Sequence, residues 1–433
     1  MHGLRRHRYN QDNYEFKESP RWRDGMKVLY FHQHFSTRAG TAGTRSYEFA
    51  RHLIARGHHV TMVCGSYAGG VTGLSSHFRR GRRSGEVEGI HVVEFELPYS
   101  NNDSFLRRAL TFAKFALRSI QVALVEGYDV VFATSTPLTA GLPGIAASIL
   151  RWKPFVFEVR DLWPELPRAM GVIKNPFMLR LMSVLEWMSY HSASLCIGLA
   201  PGIVDGIRRR GISADRVRFI PNGCDLEVFG EGVSEPWRPD GVAPDDLMAV
   251  FAGTHGIANG LEAVLDAAGE LSRRGRTDIK LVLVGSGALK QRLVERAARD
   301  HLTNCVFLPP IPKQKLAGLL ASADVGLMVL ANIPAFYFGT SPNKFFDYIS
   351  AGLPVLNNYP GWVAELIAEN RCGIAVPPDD AVAFADALQS MAERRDELIE
   401  MGQNGRALAE RDFDRMALAD QFVDALQQVV QRA

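Results

Sequence analysis

The chain lacks the features that mark several protein classes. Its five cysteines (Cys64, Cys196, Cys224, Cys305 and Cys372) stand singly, with no Cys-x-x-Cys pair. That pattern argues against a zinc cage or a disulfide framework and points to a reducing compartment. Net charge is scarce as well, since 49 Lys+Arg against 47 Asp+Glu leave only +2. So even a balance neutralises phosphates only through a local patch, and no nucleic-acid partner is expected. No run reaches the ~20 uninterrupted apolar residues of a membrane span. The most apolar stretch, Pro137–Leu150, is short and broken by Gly141, Pro143 and Gly144. Residues 1–25 form a polar, charged extension without an apolar core, unlike a secretory signal. The expected location is the cytoplasm, extending to a peripheral position on the inner face of the cell membrane.

The 433 residues, 47% apolar and 22% charged, suit an ordinary folded protein of two or three domains. From Met26 the pattern becomes regular. Lys27–Phe31 reads as a buried strand, Tyr47–Arg56 as a helix closed by Gly57, and His59–Val63 as a second strand, which together make a βαβ unit. Further strands are predicted at 91–95, 130–133, 155–159, 194–198 and 218–220. A polar linker, 230–246, precedes a second series at 247–252, 280–284, 306–308, 325–330 and 354–357, with helices at 260–274 and 288–301. The expected fold class is α/β: two Rossmann-like domains facing each other across a cleft. Their boundaries are 26–222 and 223–412, followed by a C-terminal helix (413–433) packing back on the first domain.

In such sheets ligands bind beyond the carboxyl ends of the strands, so the loops there hold the candidate residues. In the first loop, Arg38–Arg45, Gly40 and Gly43 allow close backbone approach to an anion, or simply a flexible turn. His32 and His34 share one face of a strand end, but no third metal ligand is suggested. The segment Phe157–Glu165 carries Glu158, Arg160, Asp161 and Glu165. These suit sugar hydroxyls and a diphosphate, or pairs in which arginine and carboxylate satisfy one another. In the second half, Gly285, Ser286 and Gly287 form a phosphate-tolerant turn at a helix start. Farther on, Pro342 fits a first helical turn with Ser341 as its cap, leaving Asn343 and Lys344 at the helix start. Asp347 follows one turn later, on the same face as Lys344. That pair is either a simple helical salt bridge or a cation for a leaving diphosphate beside a carboxylate for a ribose diol. Finally, Arg107, Lys114 and Arg118 make a basic stripe opposite Leu106, Leu110 and Leu117. With Arg79-Arg80-Gly81-Arg82-Arg83 the stripe suits an anionic membrane surface, or is a solvated helix face beside an exposed loop.

Ile220-Pro-Asn-Gly-Cys-Asp225 with Phe229, together with Ser341–Pro354, resembles the retaining family 4 glycosyltransferases of GT-B fold. His32-Gln-His-Phe35, Gly43-Thr-Arg-Ser-Tyr-Glu48 and Glu158–Pro164 are similar to the bacterial subgroup that builds O-antigen, capsule and exopolysaccharide, N-acetyl-fucosamine transferases among them. The resemblance runs from about Met26 to the C-terminus. It implies a metal-independent, retaining transfer without cofactor, from a nucleotide sugar (a UDP sugar) to a polyprenyl-diphosphate-linked saccharide. By position Asp347 matches the family's ribose-binding glutamate. Lys344 and Asn343 fall at the diphosphate, Ser286 and Gly287 border the nucleotide, and the backbone near Ile311 faces the base. Thr254 and Gly256 join the donor set from the loop where many members carry an Arg/Lys pair. The first family glutamate falls on Gly339, and Arg160-Asp161 stands where many members have His-Asp. Lys344, Asp161 and Arg160 are the expected catalytic residues. A sugar-nucleotide epimerase on the same fold, or a GT-B subunit without catalysis, is the alternative.

Overall fold

The computed structural model describes residues 25–40, 43–67, 70–100, 103–230 and 232–433. Apart from Gly25, the N-terminal extension lies outside the described residues, as do Thr41 and Ala42 of the first glycine loop. Two separate sheets form. The first contains β1 (Lys27–Phe31), β2 (His59–Tyr67), β3 (Arg82–Val87), β4 (Ile90–Tyr99), β5 (Val130–Thr134), β6 (Phe155–Val159), β7 (Leu195–Gly198) and β8 (Val217–Phe219). Their order is β3-β4-β2-β1-β5-β6-β7-β8, parallel except for the β3–β4 pair. The second contains β9 (Leu247–Ala252), β10 (Ile279–Val284), β11 (Cys305–Leu308), β12 (Val325–Met328), β13 (Val355–Asn357) and β14 (Gly373–Ala375), in the order β11-β10-β9-β12-β13-β14.

The central strands are short runs of Val, Leu, Ile and Phe because helices cover both faces, which leaves no side for water. In each sheet the strand order reverses once, between β1 and β5 and between β9 and β12. A crevice opens at those reversals, beyond the strand ends. Strand β3 was not predicted: residues 79–83, read as an exposed basic loop, turn into an antiparallel edge strand there. Arg82 pairs with Phe95 in register, and Arg83 places its guanidinium 2.7 Å from the Glu94 carboxylate.

Six helices matter below: α1 (Arg45–Ala55), α2 (Phe105–Val125), α3 (Leu142–Arg151), α4 (Pro176–Ser192), α5 (Asn343–Ser350) and α6 (Arg415–Arg432). The chain leaves the first domain through Ile220–Asp225 and returns beside the same point. There the Cys224 amide donates to the Phe413 carbonyl at 2.7 Å, and the Arg415 amide donates to the Cys224 carbonyl at 3.2 Å. Helix α6 then lies on the first sheet, with the Phe422 ring 4.7 Å from Phe49 and 4.8 Å from Phe132. The last helix is therefore part of the first domain's core.

Candidate active site

The second sheet's reversal point carries the densest constellation. Lys344, in the first turn of α5, reaches back over the end of β9. Its ammonium donates to Asn259 Oδ1 at 2.8 Å and lies 5.0 Å from the centre of the Phe251 ring. Asn259 in turn donates to the Thr254 carbonyl at 2.7 Å. A Cβ at Gly253 would stand 3.3 Å from Lys344 Cε, so the lysine chain lies almost on the backbone. Burial brings its pKa down to about 8, with Asp347 opposing the shift. Among the described residues Lys344 makes no ion pair.

The helical pair between Lys344 and Asp347, one of the two readings of this turn, does not form. Asp347 turns instead to Lys313, the first residue of the helix Lys313–Ala321, at 3.4 Å. The same ammonium bonds Asp225, which also receives Arg415 from α6. Burial disfavours the charged forms of both carboxylates. Arg415 and Lys313 overcome that at Asp225 and hold its pKa at about 2, whereas at Asp347 burial prevails over Lys313 and the pKa is raised. Asp347 thus sits one bond away from the crossing between the domains. Nothing in the text around Lys313 marks this role, because its partners come from elements far off in sequence.

The glycine turns have a different cause from the one expected. A Cβ at Gly285 would stand 1.9 Å from the Gly253 carbonyl oxygen, and one at Gly287 2.5 Å from that of His255. These two glycines let two loops pack on each other, with the His255 amide donating to the Ser286 carbonyl at 2.9 Å. The side chains of Ser286 and Thr254 stay exposed and Gly256 is half-buried at the crevice. The following helix starts at Lys290, three residues after the turn. Lys290 donates to the carbonyls of Gly285 and Leu308 at 2.6 and 2.5 Å, which ties two strand ends together. Ile311 is half-buried on the loop between β11 and Lys313.

Helix α5 begins at Asn343 with Pro342 as its cap residue, so Ser341 does not cap it. The Ser341 hydroxyl accepts from the Asn222 amide at 3.0 Å, and its carbonyl accepts from Asn222 Nδ2 at 2.6 Å. This joins the two motifs that carried the resemblance. Gly339 cannot carry the missing glutamate on this backbone, since its Cβ would stand 2.5 Å from the Ala335 carbonyl oxygen. From the first domain, Gly43 comes to the same helix start: a Cβ there would lie 3.5 Å from Asn343 Nδ2. Gly40 closes a turn, its amide donating to the Thr37 carbonyl at 3.2 Å.

At the first sheet's reversal point the charged quartet separates. Glu158 is fully buried and pairs with Arg45 of α1 at 2.9 Å; it also accepts from the Thr134 hydroxyl at 2.8 Å. Arg45 spends its remaining donors on the Ile220 and Pro221 carbonyls. Glu165 is exposed, 3.9 Å from Arg209. Both carboxylates therefore leave the ligand set. Arg160 and Asp161 remain at the crevice. Arg160 holds its loop by donating its amide to Ser135 Oγ at 2.8 Å, and its guanidinium makes no bond among the described residues. Burial raises the Asp161 pKa against Arg160, and Thr136 Oγ1 lies 3.4 Å away. Thr136 itself has φ 106°, a strained value for a β-branched residue.

His32 and His34 both lose proton affinity, His32 well below the usual range and His34 to about 4, through burial and then the Arg160 charge. No cluster of three metal-ligating side chains occurs among the described residues. The His34 ring instead lies tilted 4.5 Å from that of Tyr99, and Tyr99 stacks on Phe112.

The basic stripe is reduced. Arg118 donates to the Gly81 carbonyl at 2.8 Å and packs over Phe95. Arg107 and Lys114 are exposed, but beside the leucines rather than opposite them.

Comparison with known proteins follows the same division. Residues 40–223 match the glycosyl transferase 4-like domain and residues 247–394 match the glycosyl transferases group 1 domain. A D-inositol 3-phosphate glycosyltransferase of Nocardia farcinica is 30% identical over 203 residues, which is 44% of this chain and 43% of that protein. An O-antigen chain mannosyltransferase C of Escherichia coli is 22% identical over 59% of this chain and 65% of its own. The chain thus spans about half the length of the curated relatives it matches. The structure of Anabaena Alr3699/HepE in complex with UDP superposes with a TM-score of 0.65 at 18% identity, covering 93% of this chain and all of the other.

Proposed function

We infer that this chain, a two-domain protein of GT-B fold, is a glycosyltransferase. It moves a sugar from a UDP sugar to a lipid-linked or saccharide acceptor in the assembly of a bacterial surface polysaccharide. The observation that carries this is Lys344: a desolvated ammonium without a carboxylate partner among the described residues, at a helix start on the second sheet's reversal point, with Gly43 of the other domain beside the neighbouring Asn343. The family matches, the O-antigen relative and the UDP complex of a protein of the same fold support the reading.

In this reading the donor's diphosphate lies at Lys344, Asn343 and the 253–257 loop, and Asp347 takes the ribose diol. The acceptor hydroxyl enters from the first domain, past Arg160 and Asp161. Its oxygen bonds to the sugar's anomeric carbon on the face from which the diphosphate departs. The bond to the diphosphate oxygen breaks, and the acceptor's proton passes to that oxygen. Lys344 offsets the charge that develops there, and attack on the departing face retains the anomeric configuration without a protein nucleophile. An acceptor linked to polyprenyl diphosphate and an amino-deoxy sugar such as N-acetyl-fucosamine are the finer assignments.

Thermal-shift measurements with UDP, GDP, ADP and dTDP test the donor site. A nucleotide at a hundred times its dissociation constant stabilises by about 2.7 kcal/mol. UDP is expected to raise the melting temperature more than the other three, and Asp347→Ala to abolish that rise. Equal responses to all four, or an undiminished response in the variant, would remove the assignment.

A further inference from the structure

Large apolar side chains are exposed all over most proteins, but here they concentrate on three neighbouring helices of the first domain. On α2, Leu106, Leu110 and Leu117 are 68%, 53% and 65% exposed, and Leu124 and Val125 continue the row. At 100° per residue those four leucines fall within an arc of about 40°, a single stripe along a helix about 30 Å long. The opposite face, with Phe115, Ser119 and Val122, is buried. On α4, Phe177, Leu181, Val184 and Trp187 form a second exposed row. Helix α3 packs between them and ends in Ile149, Leu150 and Trp152, the last 89% exposed. Its Arg151 donates to the Ala123 and Glu126 carbonyls, which ties the end of α3 to the end of α2.

Charge on these helices has one sign. Helices α2 and α3 contain no acidic residue, and the only one in α4, Glu186, is buried against Arg210. Arg107, Lys114 and Arg180 stand exposed along the rows. Acids flank the face only at the ends of α2, where Asp103 lies 3.4 Å from Arg107 and Glu126 follows Val125; an apolar face with a mainly basic fringe suits a sheet of hydrocarbon beneath anionic headgroups. It suits a second copy poorly, because two such faces would bring like charges together.

We propose that the α2–α3–α4 face docks the protein on an anionic lipid bilayer, with Leu106, Leu110, Leu117, Trp152, Phe177 and Leu181 entering the acyl boundary. The surface is larger than a basic stripe on α2 and differs from it in character, since α3 and α4 contribute and Arg118 and Arg83 do not. Helix α2 follows the carboxyl end of β4, so its N-terminal end stands on the side of the sheet where the crevice lies. Docking through this surface requires no sugar transfer by the crevice.

Flotation with vesicles of equal parts phosphatidylglycerol and phosphatidylcholine tests it on the full chain. The protein is expected to float with these vesicles, and Leu110→Ser and Leu117→Ser each to weaken binding by about tenfold. Arg107→Gln and Lys114→Gln are expected to weaken it by about fivefold each and to flatten its salt dependence. These side chains are exposed, so an unchanged melting temperature checks that folding is intact. Addition of vesicles should also blue-shift the tryptophan emission, less so in Trp152→Phe. Absence of flotation overturns the proposal, as does flotation indifferent to the leucine changes. A concentration-dependent dimer abolished by Leu117→Arg, without vesicle binding, would assign the face to a second copy instead.

Discussion

Lys344→Ala is expected to lower the transfer rate by a hundred- to a thousand-fold, on the order of the loss when one preorganised charge-stabilising donor is removed. The expected melting temperature is unchanged, and the reason lies in the surroundings of the lysine. Asp347 is held by Lys313, so removing Lys344 strands no buried carboxylate. Burial has already drawn the Lys344 pKa down to about 8, which means that the folded protein holds this cation at a cost. The same shift fixes a pH dependence. The charged form offsets the leaving diphosphate, so kcat/KM should fall as pH rises through about 8. Bound diphosphate favours the ammonium, so the fall in kcat should come at higher pH. Lys344→Arg keeps the charge and should move that alkaline limb out of range. A rate unaffected by Lys344→Ala would take the residue out of the mechanism.

The second large effect is on stability. Glu158 and Arg45 have side chains 0% and 1% exposed. Removing one member of a buried pair leaves the other uncompensated, at a cost of about 3–5 kcal/mol. Glu158→Ala should therefore lower the melting transition of the first domain by roughly 6–20 °C, given the usual 2–4 °C per kcal/mol for domains of this size. Arg45→Met with Glu158→Leu should cost less than the sum of the single changes. Full recovery is not expected, because Arg45 also holds the Ile220 and Pro221 carbonyls where the chain leaves the domain. Differential scanning calorimetry of Glu158→Ala, of Arg45→Met and Glu158→Leu singly, and of the double variant gives the comparison. A Glu158→Ala protein that melts like the parent would mean the pair contributes nothing net.

Much of the architecture was legible in the text because buried parallel strands are written as short, unbroken apolar runs. Lys27–Phe31, Leu247–Ala252 and Phe155–Val159 each appear where their composition put them. The elements that escaped are those whose residues do not have to be apolar. Strand β3, Arg-Arg-Ser-Gly-Glu-Val, is an edge strand with one solvated side, and β14 has only three residues. The candidate site was legible in part. The Asn343–Asp347 turn and the loops at the strand ends were found by pattern. Their partners were not, since Glu158–Arg45 and Asp347–Lys313 are pairings between distant elements, and residue type alone says nothing of who meets whom. The same limit explains α2. Periodicity separated leucine from arginine along the helix but did not say that both would face outward.

Transfer of a sugar from a nucleotide to an acceptor is tested by following the sugar itself. The purified protein would be incubated with UDP sugars and lipid extract, with nucleotide release measured and the product's anomeric proton examined by NMR. UDP release that depends on acceptor is expected, with a glycoside of the donor's own anomeric configuration. A converted sugar nucleotide formed without acceptor would make the protein an epimerase. UDP binding with neither release nor conversion would make it a subunit without catalysis, and either result would rule out sugar transfer.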